Sequence, residues 1–281
     1  MKFSQSLLFA LPFLQSAAAQ GGGMVGLGWS VENVTDAGLS EIFFPMDISG
    51  APHEGGFYFA QQFGFVNQDN VGYTGLQPSV NDHGLPVIHG VFSSFNEGTT
   101  SDDPNCSDGA DGGAGVSCAV NIVSSYDHQY QLHIKNTEGT KWVGTLVDVV
   151  KGNSTQIGSY TLPAGSKGIQ SSQLGFVELY KWNDGKKEHV CSDVPKQSVI
   201  FGAPISKGYT GSLSEPYEYG DCVGESQFET HSHSDGSYSV TVGWHELHLD
   251  KVQKANPSNG FFMKEIQGSF LSLDKTTEQC V

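Results

Sequence analysis

The segment LGFVELYKW places one carboxyl group among aromatic side chains. At the strand period of two, one face carries Phe176, Glu178, Tyr180 and Trp182. A carboxylate is a poor core residue, so this face is expected to be functional. Aromatic burial also raises the pKa of a carboxyl toward that of a general acid. Glu178 is therefore a catalytic candidate; the alternative is a surface glutamate over a partly buried aromatic strip.

A second acidic and aromatic cluster follows about forty residues later and contains Tyr217, Glu218, Tyr219 and Asp221. Two carboxyl groups across a groove, one protonated and one ionised, are what glycoside hydrolysis requires. Glu218 and Asp221 are thus candidate catalytic partners of Glu178, and the two tyrosines are candidate ligand contacts. A solvated acidic turn is the alternative.

The stretch GGFYFAQQFGFVNQDNVGYTGLQ predicts two strands joined by a turn, because its phenylalanines alternate and Asn67–Asn70 are turn formers. Amide groups beside aromatic rings suit hydroxyl-rich ligands, since each amide donates and accepts hydrogen bonds. We expect one ligand groove, with amide and aromatic contacts at Gln61, Gln62, Gln77, Tyr180 and Trp182. Tyr73 and His89 are candidates for β-elimination. A core strand with glutamines paired in the ladder is the alternative.

The Asp-rich run over residues 96–117 predicts a long loop. Its carboxylates, Asp108 and Asp111 above all, are oxygen ligands that calcium accepts. The spacing does not match an EF-hand. A solvated acidic loop is favoured over a structural calcium site, and no motif requires a cofactor.

Five cysteines indicate an oxidising compartment. The expected pairs are Cys106–Cys118, which closes the Asp-rich loop, and Cys191–Cys222, which ties two later segments. Cys280 is left over near the end of the sequence. No zinc spacing is present.

The charge limits the class of partner. The formal net charge is −16, and all fourteen basic residues are lysines. Nucleic acid is excluded, because phosphate neutralisation needs a basic face. Without arginine, planar carboxylates lack their usual bidentate partner, so an anionic polysaccharide is disfavoured against a neutral one.

Short aromatic strands and Gly-rich turns predict an all-β protein, a two-sheet antiparallel β-sandwich of the jelly-roll or lectin-like kind. Residues 1–19 have the charge, apolar run and small-residue end of a secretory signal, and no later segment could span a membrane. We expect one domain over residues 20–244 and a polar, poorly ordered tail over residues 245–281.

Several segments in order resemble a family of secreted fungal and bacterial proteins catalogued only as a domain of unknown function: FYFAQQFGF, GYTGLQP, CSDGADGGAGVSC, GTKWVGTLVD, QLGFVELYKW, VIFGAP and EYGDC. The resemblance covers about residues 25–244 and implies a lectin-like sandwich, with no catalytic residues to carry over. We therefore expect a secreted protein that binds and cleaves an extracellular polysaccharide by hydrolysis or elimination. The alternatives are a glycan-binding module without catalysis and a cell-wall or host-interaction protein.

Overall fold

The computed structural model describes residues 22–185 and 189–244. Sixteen strands follow in chain order: β1 (Gly23–Val31), β2 (Glu41–Asp47), β3 (Phe57–Gly64), β4 (Val71–Pro78), β5 (Val87–Ser94), β6 (Cys106–Ala110), β7 (Gly113–Val123), β8 (Gln129–Glu138), β9 (Lys141–Asp148), β10 (Asn153–Thr161), β11 (Ser172–Leu179), β12 (Gln197–Phe201), β13 (Gly211–Leu213), β14 (Tyr217–Glu218), β15 (Glu229–Ser232) and β16 (Tyr238–Val242). Two short 3-10 helices cover Tyr180–Trp182 and Cys191–Asp193.

The strands form two packed antiparallel sheets, which confirms the predicted β-sandwich. The nine-stranded sheet runs β13-β1-β11-β3-β4-β5-β7-β6, with β14 paired to β1, and the seven-stranded sheet runs β10-β9-β8-β2-β12-β16-β15. Large rings fill the space between them: Phe92 stacks on Phe63 of its own sheet and on Tyr160 of the other, 6.0 and 4.4 Å away. No helix in residues 22–185 and 189–244 is long and apolar enough to cross a membrane.

The central hairpin forms as predicted. β3 and β4 pair from Phe59↔Leu76 to Gly64↔Val71. Phe59 and Phe63 are fully buried on the inter-sheet face. The alternate residues therefore face the outside of the nine-stranded sheet.

The first strand, β1, starts at Gly23 and runs through a glycine-rich segment. Val25, Leu27 and Trp29 are buried and alternate with Gly26 and Gly28. The strand period was present, but the glycine face concealed it.

The predicted long loop over residues 96–117 is wrong in its second half, where β6 and β7 form a hairpin. Ala110 pairs with Gly113 across a two-residue turn at Asp111 and Gly112, whose φ angles are 48° and 76°. Asp-Gly is a preferred pair for such a turn because both positions need positive φ. That dipeptide was the overlooked signal.

Both predicted disulfides are confirmed, Cys106–Cys118 between paired positions of β6 and β7 and Cys191–Cys222 between two later segments. The predicted signal at residues 1–19, the tail at 245–281 and Cys280 lie outside the described residues.

Replacing Cys191 and Cys222 together by serine should lower the free energy of unfolding by about 2–4 kcal/mol, because the unfolded chain regains the freedom of a closed loop. Guanidinium unfolding of the oxidised proteins measures the change. A midpoint equal to that of the wild type would show that this crosslink adds no stability.

Candidate functional site

A groove of 1210 Å³ crosses the outer face of the nine-stranded sheet. Residues from β1, β3, β4, β5, β7 and β11 form its floor, and the β6–β7 hairpin and β14 flank it. It brings together five of the predicted site residues on these strands: Gln62, Tyr73, Gln77, His89 and Glu178. The lining residues in the described part of the chain include no lysine or arginine.

Glu178 is a buried carboxyl group on the groove floor. It lies opposite Tyr58 on one neighbouring strand and Gly23 on the other, and it is only 6% exposed. Its Oε1 accepts a hydrogen bond from Asn183 Nδ2 at 2.8 Å. Burial raises the pKa of Glu178, the bond from Asn183 opposes the rise, and the charge of Asp111 adds to it. The net result is a raised pKa, so Glu178 stays protonated to a higher pH than an exposed glutamate does.

Two tyrosines that the sequence analysis named as candidate ligand contacts, Tyr217 and Tyr219, line the groove beside Glu178. A Cβ at Gly23 would overlap the Tyr219 ring, and one at Gly26 would lie 2.7 Å from Tyr217 Cζ. The glycine face of β1 is thus what admits these rings. Burial, and next the Glu178 carboxylate, raises the pKa of the Tyr219 phenol, so Tyr219 stays protonated.

Asp111 provides a second carboxyl group at the groove. It stands at the turn of the β6–β7 hairpin, and its charge contributes to raising the pKa of Glu178, Tyr58 and Tyr73. The sequence analysis considered Asp111 as a possible calcium ligand and favoured a solvated loop, because the pairing that brings its charge within range of Glu178 was not known.

Tyr73 lines the groove, but it does not pair with His89. Tyr73 lies opposite Ser93, and His89 lies four residues further along β5, so about 13 Å separates the two positions. Burial and the Glu178 charge raise the pKa of Tyr73 to about 12, so the phenol stays protonated and the phenolate that would act as a base is scarcely populated. His89 Nδ1 instead lies 2.7 Å from Asn121 Oδ1. The predicted elimination pair does not form.

Of the three glutamines, Gln62 and Gln77 face the groove and Gln61 does not. Gln62 Nε2 donates to Gln173 Oε1 at 2.8 Å. Gln61 is fully buried between Phe59 and Phe63 on the inter-sheet face. Its prediction as a ligand contact is wrong, because neighbouring residues of a strand point to opposite faces.

The aromatic strip after Glu178 is interrupted. β11 ends at Leu179 and a 3-10 helix begins, so Tyr180 and Trp182 do not continue the strand face. Tyr180 still lines the groove, whereas Trp182 stacks on His189 with ring centroids 4.4 Å apart. The prediction of Trp182 as a groove contact is wrong for this reason.

The predicted carboxylate partners of Glu178 lie elsewhere. Glu218 accepts hydrogen bonds from Gly224 N and Ser226 Oγ at 3.1 and 2.8 Å and lines a separate cavity of 760 Å³. Asp221 Oδ2 lies 3.8 Å from His189 Nδ1. Glu218 follows Tyr217 and precedes Tyr219, so it points to the opposite side from their rings.

No group of three or more His, Cys, Asp or Glu side chains that could hold a metal ion occurs in the described ranges. Asp108 is exposed on β6, and Asp111 faces the groove. The calcium prediction thus has no ligand set to support it.

No family model and no curated protein matches this chain. The resemblance to a domain of unknown function therefore stays a prediction.

Among solved structures, the chain is similar to scytalido-glutamic peptidase with a peptide-based transition state analog, at 12% identity and a TM-score of 0.40, over 79% of this chain and 98% of that one. It is also similar to SCP-B, a member of the eqolisin family of peptidases, in a complex with the tripeptide Ala-Ile-His. There the identity is 11% and the TM-score 0.37, over 79% of this chain and 98% of that one.

These matches are peptidases, and they contradict the prediction of a carbohydrate-active protein. The site removes the arguments on which that prediction stood. Gln61 lies in the core, Trp182 lies outside the groove, and neither Glu218 nor Asp221 faces Glu178. The carbohydrate prediction is wrong.

Proposed function

We propose that this protein is an acid-acting hydrolase that cleaves amide bonds of an extended polypeptide bound in the groove. The observation that carries the proposal is the Glu178 carboxyl, which is buried on the groove floor, has a raised pKa and is held by Asn183. A titratable group of that kind in a cleft is a candidate acid–base catalyst.

The lining of the groove supports a polypeptide substrate. Apolar and aromatic side chains such as Leu174, Phe176 and Phe95 line the groove together with amide groups such as Gln62 and hydroxyl groups such as Ser93. Such a mixture accommodates both the side chains and the backbone of a peptide. The carboxyl groups of Asp111 and Glu178, unopposed by a lysine or arginine among the described lining residues, favour neutral or basic peptides.

Glu178 can carry the proton through the whole reaction. In its protonated form it gives a proton to the amide nitrogen as water attacks the carbonyl carbon and the carbon–nitrogen bond breaks. The resulting carboxylate takes a proton from the attacking water, which leaves a carboxylic acid, an amine and protonated Glu178. Protonation of the leaving nitrogen matters because an amide anion is a very poor leaving group.

The two disulfides fit an oxidising compartment. We infer that the protein is secreted and acts outside the cell.

The test is cleavage of a mixed peptide library by the purified protein, between about pH 3 and pH 7, with new termini identified by mass spectrometry. We expect cleavage at acidic pH, after or before neutral and basic residues. A complete lack of new termini across that range would overturn the proposed function.

A further inference from the structure

Tyr58 has a buried hydroxyl group that makes no hydrogen bond within the described part of the chain. The side chain is 6% exposed, and its Oη has no hydrogen-bond partner among residues 22–185 and 189–244. Buried tyrosine hydroxyl groups ordinarily find a partner, because desolvation without a hydrogen bond is unfavourable. An exception on the wall of an open groove points to a ligand atom as the missing partner.

The position of Tyr58 places this hydroxyl group at the catalytic candidate. Tyr58 and Glu178 are directly opposite each other in the β3–β11 pairing, and both line the groove. Side chains at such paired positions have Cβ atoms about 4.5–5.5 Å apart, so both can reach one substrate group.

The ring of Tyr58 is held in place by its neighbours. It packs edge-on against Phe176, with centroids 5.7 Å apart and planes at 83°. It also covers Gly75, where a Cβ would lie 2.6 Å from Tyr58 Cε2. A donor that is fixed before substrate binds needs little reorganisation during the reaction.

Electrostatics keep the Tyr58 hydroxyl group a donor. Burial, followed by the charges of Glu178, Tyr73 and Asp111, raises the pKa of Tyr58 well above its ordinary value. The phenol therefore stays protonated wherever Glu178 titrates.

We propose that Tyr58 is a catalytic residue that donates a hydrogen bond to the oxygen of the scissile carbonyl group and stabilises the negative charge that develops there. This inference rests on the proposed function. The phenolic proton stays on Tyr58 throughout, and the proton transfers belong to Glu178. The substrate class is accordingly a carbonyl compound, an amide or its ester analogue.

The experiment compares Tyr58→Phe with Tyr160→Phe. Tyr160 also has a buried hydroxyl group without a partner in the described part of the chain, but it lies in the inter-sheet core and stacks on Phe92. Each change removes one such hydroxyl group and keeps the ring. We expect Tyr58→Phe to lower kcat for peptide cleavage by about 10²- to 10³-fold. KM should not change, and neither should the pH at which activity falls as the solution becomes more alkaline. Tyr160→Phe should cleave at the wild-type rate.

The melting temperatures of both variants test whether a loss of activity comes from unfolding instead of from the missing hydroxyl group. Both variants are expected to melt at or above the wild-type temperature, since each loses an unpaired buried polar group. A substrate ester should show the same dependence on Tyr58 as the amide.

The outcomes separate the two proposals. If the wild type cleaves peptides and Tyr58→Phe cleaves equally fast, the role of Tyr58 is overturned and the proposed function stands. If Tyr58→Phe and Tyr160→Phe lose activity in parallel with stability, Tyr58 is structural and the role is again overturned. If the wild type cleaves no peptide, both proposals fall.

Discussion

Replacing Glu178 with glutamine is expected to reduce peptide cleavage by about 10²- to 10⁴-fold, the usual contribution of a general acid–base group. Glutamine has the shape of glutamate, and its Oε1 can still accept the bond that Asn183 donates. The groove should therefore bind peptide as before while the proton carrier is gone. Initial rates at saturating and limiting peptide measure the change, which should fall on kcat.

The pH dependence of the wild type should report the same group. Burial raises the pKa of Glu178, and the reaction needs the protonated form, so activity should fall as pH rises through that raised pKa. The residual activity of Glu178→Gln should lack this limb. If the activity of the variant still falls over the same pH range, the fall belongs to another titratable group.

The substitution Glu178→Gln should raise the stability of the fold at neutral pH although it lowers the activity. A carboxyl with a raised folded-state pKa binds its proton more tightly in the folded state, so stability is lost as pH rises from the unfolded value through the folded one. Glu178→Gln removes that loss. Its melting temperature should exceed that of the wild type near about pH 7 and approach it under acid conditions, where Glu178 is protonated in both states.

Asp221→Asn is the matched control for Glu178→Gln. It also neutralises one carboxylate in a predicted catalytic cluster, but Asp221 lies near His189 and away from the groove. Its activity and pH profile should equal those of the wild type. Full activity in Glu178→Gln, or an equal loss in Asp221→Asn, would remove Glu178 from the mechanism.

Replacing Gly75 with alanine is expected to destabilise the fold by about 1–3 kcal/mol, because the added methyl group overpacks the groove floor. The Cβ would overlap the Phe59 carbonyl oxygen and would lie 2.6 Å from the Tyr58 ring. The backbone oxygen cannot move away without breaking the β3–β4 pairing, so the Tyr58 ring must also shift. Cleavage should therefore fall more than the loss of folded protein explains.

Gly90→Ala is the control for Gly75→Ala. Gly90 lies on the next strand, β5, where a Cβ would meet Ile157 at an ordinary 3.4 Å. Thermal unfolding should give a melting temperature near or above that of the wild type, since alanine reduces the freedom of the unfolded chain. Equal melting temperatures for both variants would contradict the crowding at Gly75.

The alternation of apolar and polar residues along single strands made much of the fold predictable from the sequence. The pattern around Phe57–Gly64 and Val71–Pro78 predicted both strands and the turn between them, but it did not show which face of β3 lines the groove, so Gln61 was placed there together with Gln62. The cysteine spacing predicted both disulfides. These inferences succeeded because neighbours along one strand, or the ends of one closed loop, are related by local geometry.

Pairing between distant strands decided the site. Glu178 was found from its own segment, but its partners Tyr58 and Asp111 come from β3 and from the turn of the β6–β7 hairpin. The sequence of one strand does not determine which strand it pairs with or in what register, because the same alternation of apolar and polar residues is compatible with many neighbours. Only the order β1-β11-β3-β4-β5-β7-β6 places Asp111 near Glu178 and leaves Glu218 on the far side of its strand.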